Sequence, residues 1–267
     1  AQQDGADVVA RWLVHDCGAG VPSVLISVTG GAQNFRLPQS LQVVFERGLM
    51  RAARSGNTWI ITGGTDSGVM KLIGQAIADY SADNVTAVGI ATWGIVMNRH
   101  ELEPPADECA PSPPRQGGSP GAAEPLEAST SIMGAMEYSG HRSQNSADGA
   151  ALEPNHSHFI LVDTEKRGRA AWGGEIGMRF AIEKTICERY AVPMVLVVVE
   201  GGPNTLKTVR ETLTGGCPVV IVQGSGGAAD AIAKCFALLP TADRNEPAVD
   251  RYGPADAGKP PVTPAKP

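Results

Sequence analysis

Several features that would commit this sequence to a familiar chemistry are missing. Its five cysteines (Cys17, Cys109, Cys187, Cys217 and Cys235) are odd in number and scattered, and no C-x-x-C pair occurs. That spacing argues against a zinc site or a disulfide framework and for reduced thiols in a cytosolic setting. No stretch approaches the roughly 18 apolar residues of a membrane span. Basic residues are outnumbered, giving a formal net charge of -6, which disfavours nucleic acid or an anionic membrane surface as the main partner. There is neither a G-x-G-x-x-G dinucleotide fingerprint nor a Walker Gly-Lys-Ser/Thr. The opening Ala1-Gln2-Gln3-Asp4-Gly5 lacks the charge and apolar run of a signal peptide, and without an initiator Met the chain is expected to be a piece of something longer.

What is present is glycine at the ends of short apolar runs. Val24–Val28 leads into Thr29-Gly30-Gly31, and Trp59–Ile61 into Thr62-Gly63-Gly64-Thr65-Asp66-Ser67-Gly68. Met194–Val199 leads into Glu200-Gly201-Gly202-Pro203-Asn204-Thr205, and Val219–Val222 into Gln223-Gly224-Ser225-Gly226-Gly227. Such transitions mark the carboxyl edge of a parallel sheet, where bare N–H groups and helix N-termini receive phosphorylated ligands.

The spacing of apolar residues predicts strands at Val24–Val28, Trp59–Ile61, Thr86–Ile90, His158–Val162, Met194–Val199 and Val219–Val222. Helices are predicted over Pro38–Arg54, Ser67–Tyr80, Glu175–Tyr190, Thr205–Leu213 and Ala228–Leu238. The resulting βαβαβ…βαβαβα order predicts a Rossmann-like, doubly wound α/β fold, a mostly parallel sheet of about six strands with helices on both faces. Residues 1–21 read as a lead-in with a short helix through Val8–Val14, and 22–240 as one nucleotide-binding domain. Within it, about 104–150 is a Pro/Ser/Gly-rich insertion expected to be mobile, with a short ordered piece at Ser131–Tyr138. The tail 241–267 is Pro-rich and expected to be disordered.

For a phosphate site the sequence offers Thr62, Gly63, Gly64, Ser67 and Gly68 in one loop, Gly201, Gly202 and Thr205 in a second, and Gly224, Ser225 and Gly226 in a third. Each alone also fits an ordinary capped turn; their convergence on one edge favours a ligand. Trp172 and Arg179 supply a planar partner and a cation for the rest of a nucleotide, with Glu175 between them. The same two residues also fit a core tryptophan beside a solvent-facing arginine. Trp93 fits the mouth of the site or the core equally. His156 and His158 lack a third metal ligand nearby, so a histidine bonded to neighbouring loop backbone is the expected role.

Several of these stretches also carry a resemblance. Val24–Phe35, Trp59–Gly64, Gly89–Gly94, Asn155–Asp163, Glu200–Asn204 and Gly224–Asp230 resemble, in order, the cytoplasmic N-terminal homology region of melastatin-type TRP cation channels. The likeness covers roughly 22–103 and 152–239. Gly68–Lys71 and Thr205–Thr208 are most similar to the ADP-ribose-gated branch of that family. The resemblance implies a SLOG-type domain related to the Lonely Guy proteins, on the cytoplasmic side of a membrane. It implies binding of ADP-ribose or a related adenine nucleotide such as cyclic ADP-ribose or AMP, and no further cofactor or metal. It implies as partners the rest of a channel subunit and the neighbouring subunits of a homotetramer. By position, Trp172 falls on an adenine-contacting aromatic and Arg179 on a ligand-binding arginine of the family. The loop residues named above fall around the same ligand.

Two departures stand out. Gly227 occupies the place of a second adenine-contacting arginine, whose loss removes about 1–2 kcal/mol of stacking. The Pro-rich insertion replaces a shorter or different connection. Lonely Guy hydrolases carry an acidic residue where this chain has Lys207 and Thr208, leaving Glu175 and Glu211 as stand-ins for a catalytic carboxylate. The expectation is therefore a non-enzymatic sensor. A free-standing nucleotide phosphoribohydrolase and a non-binding assembly domain are the alternatives.

Overall fold

The computed structural model describes residues 2–33, 35–82, 85–103, 138 and 148–239. Six strands form one parallel sheet: β1 (Val24–Gly30), β2 (Thr58–Thr62), β3 (Val85–Thr92), β4 (His158–Val162), β5 (Met194–Val199) and β6 (Val219–Ile221). Their order is β4-β3-β2-β1-β5-β6. The chain therefore steps outward from β1 to β4, then returns to the opposite side of β1 with β5. That reversal opens a crevice beyond the carboxyl ends of β1 and β5, where open α/β sheets bind ligands.

The helices are α1 (Gln2–Arg11), α2 (Gln39–Ala53), α3 (Gly68–Asp79), α4 (Ile176–Tyr190), α5 (Pro203–Thr214) and α6 (Gly227–Leu238). Alternate residues of the central strands feed two cores. Leu25, Trp59, Ile61, Val88 and Ile90 pack with α1 and α4, while Ile26, Val28 and Ile60 pack with Phe45 and Leu49 of α2 and Val69 and Ile73 of α3. Both sheet faces are thus buried, as near-continuous Val/Ile/Leu strands require. The predicted strands and helices all appear, and most differences lie within two residues of each boundary.

The lead-in is the main difference. Rather than a short helix through Val8–Val14, α1 starts at Gln2 and continues as a widened turn over Trp12–Asp16. Ala6, Ala10, Leu13 and Val14 are buried against α4, so residues 2–16 form part of the same core. The ordered piece expected at Ser131–Tyr138 lies outside the described residues except for Tyr138. Its hydroxyl donates to the Met97 carbonyl at 2.8 Å and accepts the Leu152 N–H at 3.2 Å. The rest of the insertion, 104–137 and 139–147, and the tail also lie outside them. Among the described residues no helix is long and apolar enough to cross a membrane.

The core also fixes thiol chemistry. Burial, with Cys217, Glu183 and Glu188 nearby, pushes the Cys187 thiol from its ordinary 9.0 up to about 12. The folded chain then holds a proton that the unfolded chain releases above about pH 9. Stability is undiminished below that pH and falls by up to about 1.4 kcal/mol per pH unit between 9 and 12. In native protein, iodoacetamide is expected to label exposed Cys235 well before Cys187, as read by mass spectrometry. Equal labelling rates would contradict this packing.

Candidate functional site

The crevice at the strand reversal contains a cavity of about 80 Å³. Its floor is the end of β1 (Val28, Thr29 and Gly30) and of β3 (Ala91 and Thr92), with Gly63 and Thr65 from the loop after β2. Its other wall is Trp172, Gly173 and the first turns of α4 and α5, including Glu175, Ile176, Arg179, Asn204, Thr205 and Thr208. Two helix N-termini thus border one space, an arrangement that favours an anion. Of the residues predicted from sequence, the cavity gathers Gly63, Trp172, Glu175, Arg179 and Thr205.

Arg179 is not the solvent-facing arginine of the alternative reading. It is 6% exposed and bound on several sides. Nε donates to Glu183 Oε1 at 2.9 Å, and Nη2 donates to Ser27 Oγ (2.7 Å), the Val28 carbonyl (3.0 Å) and the Ile61 carbonyl (2.9 Å). Ser27 in turn donates to Glu183 at 2.7 Å. The arginine therefore ties the ends of β1 and β2 to α4, and only Nη1 makes no hydrogen bond among the described residues. Its charge is offset by Glu183. The cavity's other charged lining residue is Glu175, whose carboxylate accepts the Thr92 hydroxyl. The donors bordering the cavity are therefore the helix N-termini and the hydroxyls of Thr29 and Thr65, since the Thr205 hydroxyl donates to the Gly30 carbonyl at 3.2 Å.

The remaining predicted residues bind one another. Gly201 and Glu200 offer their carbonyls to the N–H groups of Ala228 and Ala229, each at 2.9 Å, so the start of α6 is capped by the β5–α5 loop. Ser225 Oγ donates to the Val222 carbonyl at 2.6 Å and accepts the Glu200 N–H at 2.7 Å, while the Gly224 N–H goes to Asp230 Oδ1 at 2.6 Å. Gly226 lies beside Glu200, and the Gly202 N–H reaches Thr205 Oγ1 at 3.2 Å. Likewise the Gly31 carbonyl caps α3 through the Val69 N–H at 2.9 Å, beside Gly68, and Ser67 Oγ lies 3.1 Å from Thr65 Oγ1. The N–H edges expected to be bare at α3 and α6 are thus partly filled by neighbouring loop carbonyls; α4 and α5 border the cavity with their first turns, and α3 reaches it through Met70. At Gly227 φ is +51°, and a Cβ would stand 2.3 Å from the Gly201 carbonyl oxygen, so this loop has no room there for an arginine.

A wider depression of about 550 Å³ lies between α2 and α3, with Phe35, Arg36 and Lys71 on its wall, but Gly68 is the only predicted residue it shares. Trp93 does not line the central cavity, and Glu211 faces a separate groove between α4 and α5 with Lys184, Lys207 and Arg210. Among the described residues no cluster of His, Cys, Asp and Glu could hold a metal.

Asn204 and Thr208 were not predicted from sequence, although Asn204 directly precedes the predicted helix Thr205–Leu213 and Thr208 lies in its first turn. Glu153 was not predicted either. This residue is fully buried and accepts the Asn155 N–H and the Asn155 side-chain amide at 2.9 Å, with His156 Nδ1 at 2.8 Å. His156 therefore meets two side chains, Glu153 and Thr62, rather than loop backbone alone.

A family model described as the SLOG domain of TRPM proteins matches residues 2–116 and 126–251. The chain belongs to that family. Transient receptor potential cation channel subfamily M member 2 of Rattus norvegicus is 38% identical over 252 residues, covering 89% of this chain and 15% of that protein. Subfamily M member-like 2 of Nematostella vectensis is 37% identical over 256 residues, covering 90% and 15%. Member 7 of Homo sapiens is 30% identical over 239 residues, covering 85% and 11%. This TRPM SLOG domain thus spans about one seventh of the rat and sea-anemone relatives, all of which bear cation-channel names.

Proposed function

We propose that this domain senses ADP-ribose, or a related adenine nucleotide such as cyclic ADP-ribose or AMP, and modulates gating of a melastatin-type cation channel assembled as a homotetramer. The observation that carries the reading is the convergence of Trp172, Arg179 and the N-termini of α4 and α5 at the strand reversal. The base stacks on Trp172, and the phosphates take the helix N-termini with the hydroxyls of Thr29 and Thr65. Arg179, already committed to Glu183 and two strand carbonyls, contributes through its remaining edge. The absence of an acidic residue at Lys207 and Thr208 supports binding without turnover; of the two stand-in carboxylates, Glu211 lies outside the cavity, while Glu175 lines it and accepts the Thr92 hydroxyl.

The volume bears on how sensing works. Nucleotide-sized ligands fill pockets of roughly 300–1,000 Å³, several times the 80 Å³ present. Binding must separate the walls, and Gly173 packs directly on Asn204 across them: a Cβ on Gly173 would lie 2.7 Å from that side-chain amide. A ligand that favours the separated state shifts the domain toward it, which is what a gating input requires. The small volume also favours a second reading, an assembly domain that binds no nucleotide.

Calorimetric titration with ADP-ribose, cyclic ADP-ribose, AMP and NAD, followed by chromatography of each mixture, separates these readings. Saturable binding with ligand recovered intact is expected. Trp172→Ala should weaken it about tenfold or more, by loss of stacking worth about 1–3 kcal/mol. Release of free base or ribose 5-phosphate would mean a hydrolase, and no heat with any ligand would leave the assembly domain.

A further inference from the structure

Three buried groups are joined in a chain of hydrogen bonds next to the loop after β2. The Glu153 carboxylate faces His156 Nδ1 at 2.8 Å, and His156 Nε2 faces Thr62 Oγ1 at 2.7 Å. Thr62 Oγ1 in turn accepts the Gly64 N–H at 2.9 Å. Glu153 and Thr62 are fully buried and His156 is 6% exposed. For a carboxylate beside a neutral imidazole, the hydrogen-bonding inventory allows one proton order. A carboxylate only accepts, so Nδ1 donates to it; Nε2 then accepts, so the Thr62 hydroxyl donates to Nε2 and keeps its lone pairs for Gly64.

The same order of acid, imidazole and hydroxyl activates nucleophiles elsewhere. Here the hydroxyl oxygen is sealed from solvent, accepts an amide and is absent from the cavity wall. Its effect is instead on Gly64. That residue's N–H is held by Thr62, its carbonyl accepts the Glu153 N–H at 2.9 Å, and its Cα packs so tightly on Gly89 that a Cβ would come within 2.7 Å. Its sequence neighbours, Gly63 and Thr65, are the two residues of this loop that line the cavity.

We infer that Glu153, His156 and Thr62 form a positioning relay that fixes the ligand-facing backbone at Gly63 and Thr65. The relay also joins β2 to the 150–156 segment: Asp66 N–H donates to the Ala151 carbonyl at 2.8 Å, and Thr65 bridges to Leu152. Glu153 is itself seated on α3, since a Cβ on Gly74 would stand 2.0 Å from its carboxyl carbon. The ligand consequence rests on the nucleotide reading above; the fixing of Gly64 does not.

The test uses the 267-residue chain with Thr62→Val, which keeps the shape and removes the hydroxyl, and Thr62→Ser, which restores it. Amide exchange by NMR reads Gly64 against Ile60, and calorimetry reads ADP-ribose affinity. In Thr62→Val, Gly64 exchange is expected to rise about tenfold relative to Ile60 and affinity to fall about tenfold, as for one lost buried hydrogen bond. Thr62→Ser should return both to within about threefold. Unchanged Gly64 exchange in Thr62→Val, or a serine variant no better than valine, would overturn the relay. Faster Gly64 exchange with unaltered ADP-ribose affinity would overturn its role in binding. No ADP-ribose heat in the wild type would overturn the nucleotide reading, leaving exchange and the His156 tautomer, read from its ring nitrogen shifts, to decide the relay.

Discussion

Arg179→Ala is expected to lower the unfolding free energy by about 3–5 kcal/mol, a larger loss than any ligand contact would explain. Truncation strands Glu183, which is 1% exposed and among the described residues retains only the Ser27 hydroxyl, and removes a donor from the buried Val28 and Ile61 carbonyls. In a chain of this size the melting midpoint should fall by on the order of 10 °C. The companion variant Arg179→Met/Glu183→Leu removes both charges while keeping bulk, and should recover most of the loss, because a buried pair replaced whole costs far less than one left half-made. Urea titration of the three proteins measures this. If Arg179→Ala costs less than about 1 kcal/mol, the arginine is no strut and any loss of binding reads directly as a ligand contact. If it costs the full amount, loss of nucleotide binding in that variant says little about contact, which is why Trp172→Ala is the cleaner probe.

The sheet was legible because parallel strands buried on both faces read as short apolar runs, and the runs at Val24–Val28 and Met194–Val199 are of that kind. α1 was poorly legible. Gln2–Arg11 carries a glycine and only Ala6, Val8, Val9 and Ala10 as apolar residues, and its burial comes from α4, far away in sequence. The Arg179–Glu183 pair was visible as an i,i+4 spacing. Its burial depends on Ser27, the one hydroxyl in the apolar stretch from Val24 to Val28, and no spacing rule connects residues 152 apart. The glycines were located correctly, but their use was ambiguous. A glycine admits a phosphate or a neighbouring backbone for the same reason, the missing Cβ. At Gly68 and Gly227 the structure shows backbone in that space, and at Gly201 the Thr205 side chain.

Gly68→Ala puts that second use to a direct test. Gly68 has φ +53°, a conformation that costs a side-chain-bearing residue about 1–2 kcal/mol. Its added Cβ would lie 1.8 Å from the Gly31 carbonyl oxygen and 2.7 Å from the carbonyl carbon. That oxygen also accepts the Val69 N–H at 2.9 Å, so it cannot retreat without uncapping α3. Overpacking of this kind adds about 1–3 kcal/mol, for a combined loss of roughly 2–5 kcal/mol. Gly48→Ala is the matched control. It lies within α2 with nothing inside 4 Å of its Cβ position, and it should stabilise by about 0.5–1 kcal/mol through helix propensity. Opposite signs in the two variants, read by urea denaturation, would show that Gly68 is required by the meeting of the β1 and β2 loops. A Gly68→Ala loss below about 1 kcal/mol would mean instead that the two loops part readily. The floor of the cavity, built from Gly30 at the end of β1 and Gly63 and Thr65 on the loop after β2, would then be the compliant element that opens for ligand.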